Sequence, residues 1–168
     1  MFFFHDLSLR IEHSPENRES ERERTESRPE TCMFPTISAV VETGFYVDDL
    51  DRAEVFYSDV LGLKVIARET GRHLFFQVGD SVLLAFRPDA TLQGDLLPAH
   101  GSRGPGHFAL GIPRDAYATW LQRLLEHGIA IEQEVDWPRG GKSMYFRDPA
   151  GNSVELVTPG IWGLPSGW

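Results

Sequence analysis

Gly79-Asp80-Ser81-Val82-Leu83-Leu84 and Gly151-Asn152-Ser153-Val154-Glu155-Leu156 are two versions of one phrase, one in each half of the chain. Each opens on a turn glycine and runs into a short apolar stretch, the pattern of a turn feeding a strand. An internal repeat implies that each copy is one structural unit that buries its apolar face against the other. The copies differ where Leu83 stands against Glu155. A carboxylate in the middle of a strand needs a partner, and a metal ion is the most economical one.

Reading outward, each phrase closes a longer block with the same order of elements. In the first block, Ser38–Val47 is rich in β-formers. Asp51-Arg52-Ala53-Glu54 offers a capping box, with Asp51 as N-cap and Glu54 reaching back. Ala53, Phe56, Tyr57 and Val60 fall at helical spacing, and Gly62 suits the end of that helix. Strands are expected at Leu63–Glu69, His73–Val78 and Val82–Phe86. The second block repeats this with a strand at His107–Ile112 and a helix opened by Pro113 and Asp115. That helix buries Tyr117, Trp120, Leu121 and Leu124 and stops at Gly128. Strands follow at Ile129–Glu134, Ser143–Phe146 and Val154–Val157. The unit is β-α-β-β-β, twice. Between the blocks, the Gly- and Pro-rich stretch Pro88–Gly106 reads as a linker, and so long a connection is often functional, here as a lid.

Composition bounds the rest. A chain of 168 residues, 41% apolar and 24% charged, suits one globular domain. The net charge of −9 argues against a general nucleic-acid binder, and no apolar run has the length of a membrane span. Met1-Phe2-Phe3-Phe4 is too short for a signal peptide core. The single cysteine, Cys32, fits a reducing, cytoplasmic setting. Residues 1–35 read as a disordered charged tail, with a frayed helix around Arg18–Arg24 and Met33 as an alternative natural start. Residues 36–162 form the domain: module one at 37–88, a linker at 89–105 and module two at 106–159. Residues 163–168 are a C-terminal tail, and in the segment Pro159–Trp168 that ends the domain Trp162 is expected to pack back on the body or to make a subunit contact.

Three motifs now carry a resemblance. Phe45-Tyr46-Val47-Asp48-Asp49-Leu50-Asp51-Arg52-Ala53, leading to Phe56-Tyr57-Ser58-Asp59-Val60-Leu61-Gly62-Leu63, resembles the opening of a vicinal-oxygen-chelate module. Gly106-His107-Phe108-Ala109 resembles the start of the second module, and Phe146-Arg147-Asp148-Pro149-Ala150-Gly151-Asn152-Ser153-Val154-Glu155-Leu156 its closing turn and last strand. This is the superfamily of glyoxalase I, extradiol dioxygenases, fosfomycin-resistance enzymes and bleomycin-binding proteins. The resemblance covers residues 37 to 159. It implies an α+β fold in which two βαβββ modules form a curved half-open barrel with a divalent metal on the concave side. Ligand positions on the first and fourth strand of each module correspond to Glu42, Leu83, His107 and Glu155.

Strand alternation speaks to the same residues. Val41, Thr43, Phe45 and Val47 share one face, whereas Glu42, Gly44 and Tyr46 share the other. Phe108, Leu110 and Ile112 oppose His107, Ala109 and Gly111, and Val154 and Leu156 oppose Glu155. Taken singly, Glu42 suits a solvated strand, His107 a hydrogen-bonded core histidine, and Glu155 an ion pair with Arg68 or Arg87. Taken together, two carboxylates in one concavity require a cation or arginines.

The expected metal set is therefore Glu42, His107 and Glu155, holding one divalent ion (Mn, Ni, Zn, Mg or Fe) and leaving positions open for substrate. The resemblance implies a glyoxalase-I-like lyase or isomerase. In such an enzyme the metal chelates two adjacent oxygens of a small substrate and stabilises an oxyanion or enediolate. Glu42 or Glu155 serves as base, and Tyr145 is a candidate proton donor. The alternatives are an extradiol, catechol-type dioxygenase and a non-catalytic antibiotic-binding resistance protein. A homodimer acting on a small molecule, with no nucleic-acid or membrane partner, completes the expectation. Trp137-Pro138-Arg139-Gly140-Gly141-Lys142 reads as an exposed turn or a grip for an anionic substrate tail. His73 and His100 are further acid–base candidates, while His127 suits a helix C-terminus.

Overall fold

Two four-stranded mixed sheets carry the described part of the chain, residues 37–94 and 96–168 of a computed structural model. The charged tail, its frayed helix, Cys32, Met33, His5 and His13 lie outside the described residues. Ser38–Trp168 cluster as one unit.

Module one runs β1 (Glu42–Tyr46), α1 (Leu50–Glu54), β2 (Lys64–Glu69), β3 (His73–Val78) and β4 (Ser81–Phe86). After a short helix α2 (Pro88–Thr91), module two runs β5 (His107–Gly111), α3 (Tyr117–Glu126), β6 (Ile131–Asp136), β7 (Lys142–Arg147) and β8 (Ser153–Val157). The sheet orders are β1-β4-β3-β2 and β5-β8-β7-β6. In each sheet the first strand pairs parallel to the fourth and the other pairings are antiparallel. The doubled β-α-β-β-β order thus holds, as an α+β architecture of two open sheets. Among the described residues no helix is long and apolar enough to cross a membrane.

The first helix departs from the sequence reading in two ways. Its N-cap is Asp49, whose Oδ1 accepts from the amides of Asp51 and Arg52 at 2.9 and 3.0 Å. Asp51 and Glu54, expected to form a capping box, instead both receive the Arg68 guanidinium from β2. The physical reason is that Asp49 is the residue in extended conformation, with φ of −135°, and only such a residue can turn its oxygen onto the next free N–H groups. The helix then widens into a π turn over Val55–Val60. This turn buries Phe56, Tyr57 and Val60 together. Its last carbonyls, Asp59 and Val60, accept from Arg123 of α3, both at 2.7 Å.

The core joins the two modules through aromatic rings. Phe45 and Phe108, from β1 and β5, lie 5.1 Å apart by ring centroid, and Tyr57 packs against Phe45 at the same spacing. Phe56 reaches Phe146 at 6.2 Å. A polar knot lies beside them. Buried Asp148 accepts from the Tyr57 hydroxyl at 2.8 Å and from the amides of Ala150 and Asn152 at 2.9 and 2.7 Å. Asn152 in turn donates to the Tyr46 carbonyl at 3.0 Å and accepts from the Gly106 amide at 2.8 Å. Burial and the neighbouring Asp148 charge push the Tyr57 hydroxyl far above its ordinary pKa, so it stays a donor. The Asp-Pro-Ala-Gly-Asn turn therefore fastens the closing strand of one module to the opening strand of the other.

Register corrects the reading of Leu83. Gly44, two residues after Glu42, pairs with Leu84, just as Ala109, two residues after His107, pairs with Glu155. Leu84 is therefore the counterpart of Glu155, and Leu83 points the other way, into the core with Phe45 and Phe76. The echoed text is out of step by one residue because the turns differ. Val78 pairs with Ser81 across a two-residue turn, whereas Arg147 pairs with Ser153 across Asp148–Asn152.

Candidate functional site

Glu155 is the centre of the concave face of module two. It sits in β8 between Ala109 of β5 and Tyr145 of β7, on the side opposite the core residues Val154 and Leu156. It is 5% exposed. A buried carboxylate at that depth must be fully accounted for. One oxygen accepts from the Ser143 hydroxyl, which itself accepts from the Trp137 indole N–H at 2.8 Å. The other lies 3.5 Å from Nε2 of His107. Arg68 pairs with Asp51 and Glu54, and among the described residues no arginine pairs with Glu155.

His107 is held by its other nitrogen. Its Nδ1 lies 3.1 Å from the Ser153 carbonyl, an atom that only accepts, so Nδ1 carries the proton. In the neutral ring Nε2 then presents a lone pair towards Glu155. A lone pair facing a carboxylate oxygen at 3.5 Å is an arrangement that a proton or a metal cation between them satisfies. The ring stacks on Tyr145, with centroids 6.1 Å apart and a 29° tilt. Burial first, and then the neighbouring Glu155 carboxylate, raise the Tyr145 hydroxyl above its ordinary pKa. The phenol therefore remains a proton donor at neutral pH.

His107, Glu155 and Tyr145 are thus brought together. Glu42 is not gathered with them. It lies exposed at the start of β1, in the other sheet, and among the described residues no three of His, Cys, Asp and Glu form a group able to hold a metal ion. Glu42 shares its face with Gly44 and Tyr46, and Tyr46 binds His100 Nδ1 at 2.9 Å. His73 stacks on Phe75 at 4.1 Å, and burial lowers its pKa. The arginine of the Trp137–Lys142 turn is engaged by the C-terminal segment. Arg139 donates to the Trp162 carbonyl at 3.2 Å. Trp162 itself is 70% exposed, and the tail residue that packs back on the sheet is Trp168, whose indole lies on Gly111.

Two contributors escaped the sequence reading. In the sequence Ser143 is only the start of a strand, and Trp137 only part of a turn. The signal for Ser143 was available, since it lies two residues before Tyr145 and so shares its face. Trp137 had none, because its contact depends on how the β6–β7 hairpin folds over.

A cavity of about 500 Å³ opens above these residues, with His107, Glu155 and Tyr145 at one end. The polar end offers an imidazole nitrogen, a carboxylate and a phenol, a donor set that suits a divalent cation of intermediate hardness.

Known proteins share this framework. The family model Glyoxalase/Bleomycin resistance protein/Dioxygenase superfamily matches residues 39–156. A crystal structure of lactoylglutathione lyase from Agrobacterium tumefaciens superposes with a TM-score of 0.74 at 40% identity, covering 77% of this chain and all of that one. Lactoylglutathione lyase from Haemophilus influenzae is 27% identical over 70% of this chain and 90% of its own length. Catechol-2,3-dioxygenase from Bacillus subtilis is 31% identical over 66% of this chain, which spans only 38% of that enzyme. The doubled module, its three motifs and these likenesses agree, and the chain belongs to the Glyoxalase/Bleomycin resistance protein/Dioxygenase superfamily.

Proposed function

We propose that the protein is a metal-dependent enzyme of glyoxalase-I-like type, acting on a small substrate that offers two adjacent oxygens. The observation that carries this reading is the pairing of His107 Nε2 with Glu155 Oε2, with both partners oriented from behind by Ser153 and Ser143. Such outer contacts are what fix metal ligands in place. The likeness to lactoylglutathione lyase, over the whole of the Agrobacterium chain, supports the lyase or isomerase reading ahead of the dioxygenase.

His107 and Glu155 would hold the metal, and Glu42 would join them from a second copy of the chain. The exposed stretch Glu42–Gly44 of β1 and the half-exposed β5 support a homodimer in which these open faces meet. A divalent ion bound there supplies a Lewis acid that lowers the cost of negative charge on a substrate oxygen. The chain's own residues do the rest. Glu155, buried and neighboured by a phenol, is placed to take a proton from a carbon that bears one of the two oxygens. Tyr145 is placed to hold or return one at oxygen. The apolar walls of the cavity keep bulk water from competing.

The test is metal analysis of protein purified without chelators, for wild type and Glu155→Gln. About one divalent ion per chain is expected in the first and loss of metal and turnover in the second. Tight stoichiometric retention by Glu155→Gln would count decisively against the assignment.

A further inference from the structure

The cavity above His107 and Glu155 is otherwise lined mainly by apolar residues, and part of that lining comes from outside the repeated modules. Ile161, Trp162 and Trp168 line it from the C-terminal segment Pro159–Trp168, facing Trp137 and Val157. The segment is fastened rather than loose. Thr158 and Lys142 exchange two hydrogen bonds, at 2.9 and 2.8 Å, where the segment leaves β8. Arg139 donates to the Trp162 carbonyl, and the Leu164 amide closes a loop onto the Trp168 carbonyl at 2.6 Å.

Two glycines of module two are shaped to this segment. A Cβ on Gly111 would collide with the Trp168 indole, and one on Gly141 with Ile161 Cγ2. Neither glycine has a positive φ, so backbone geometry does not require glycine at either position. Space for the segment does. The opposite wall is tied to the polar end, because the Trp137 indole donates to the same Ser143 that binds Glu155.

We infer that Pro159–Trp168 is the specificity wall of this site, and that the substrate carries an aromatic or comparably flat apolar group next to its paired oxygens. The oxygen end of this statement rests on the function proposed above, whereas the apolar end rests on the cavity alone. Indole faces stack well on flat rings and offer nothing to an anionic or highly hydrated substituent.

Benzohydroxamate and acetohydroxamate present the same oxygen pair and differ by phenyl against methyl. Calorimetric titration of the Zn²⁺-loaded protein should show the phenyl compound binding tighter by roughly 30-fold, the worth of a buried ring. Trp168→Ala, and separately Gly111→Ala, should bring that ratio to within about threefold. A ratio near one in the wild type, or one unaffected by both variants, overturns the inference. Tighter benzohydroxamate binding by Trp168→Ala also overturns it, since the indole would then be a plug. Should the protein fail to hold Zn²⁺, the functional reading falls, and metal-free protein titrated with benzyl alcohol decides this one. Shifts of the Ala109 and Val157 amide resonances in wild type but not in Trp168→Ala support the wall. Their absence in wild type sinks it. Thermal unfolding of each variant confirms that it is folded.

Discussion

Glu155 is oriented by Ser143, and Ser143 by Trp137, so the geometry of the candidate ligand pair is set three side chains deep. Removing the middle of that chain should loosen the pair without dissolving the fold. Ser143→Ala is expected to weaken divalent-metal affinity by roughly 10-fold, as outer-contact losses do, and to cost about 1–3 kcal/mol in urea unfolding because buried Glu155 loses its donor; metal-competition titration reads the first effect. Tyr57→Phe makes the same kind of change away from the candidate site. It strips a donor from buried Asp148 and is expected to cost about 1–3 kcal/mol in urea unfolding. His73 provides a pH signature. Burial lowers its pKa below the ordinary 6.5, so the folded state resists the proton that the unfolded chain accepts. Its contribution to stability is present above about pH 6.5 and is lost as pH falls towards the lowered folded value. Urea midpoints should therefore fall more between pH 7.5 and 5.5 for wild type than for His73→Phe.

At the scale of elements, the sequence displayed most of the fold. Alternation placed Phe45, Phe108 and Val154 on the core faces, and the helical spacing of Phe56, Tyr57 and Val60 named the buried stripe of the first helix. Two local readings failed, for related reasons. Three acidic residues, Asp49, Asp51 and Glu54, compete for the role of cap, and spacing alone chose Asp51. The competition is settled by Arg68, which arrives from β2 and claims Asp51 and Glu54. Asp49→Ala should then cost about 1 kcal/mol by urea unfolding, the usual worth of an N-cap. Asp51→Ala, at an exposed ion pair, should cost well under 1 kcal/mol. Leu83 falls on the core face because similar text does not carry equal register: a longer turn before β8 shifts the pairing by one residue. Since the side-chain period of a strand is two, a slip of one reverses every face.

For the whole molecule, the decisive fact is that β1 and the β5–β8 pair belong to separate sheets and that Glu42 stays apart from His107 and Glu155. The proposed homodimer makes a prediction that a monomeric site does not. Glu42→Ala and His107→Ala should each lose metal alone. Mixed after mild dissociation, they should regain a site in heterodimers, up to about one quarter of wild-type metal if subunits pair at random, because half the dimers are mixed and each mixed dimer holds one intact site. Metal content of the mixture that stays at the level of the separate variants would show that all ligands act within one chain.

The chain's own text determined the repeat, the two faces of each strand and the residue types able to bind a cation, because these follow from periodicity and side-chain chemistry acting over a few neighbours. Only tertiary structure decided which of those residues meet. His107 and Glu155 share one face of one sheet, Glu42 lies in another, and Trp168 returns from the end of the chain to wall the cavity. Such meetings depend on turn lengths, sheet register and the packing of modules, quantities that accumulate over the whole chain and that no single stretch of residues contains.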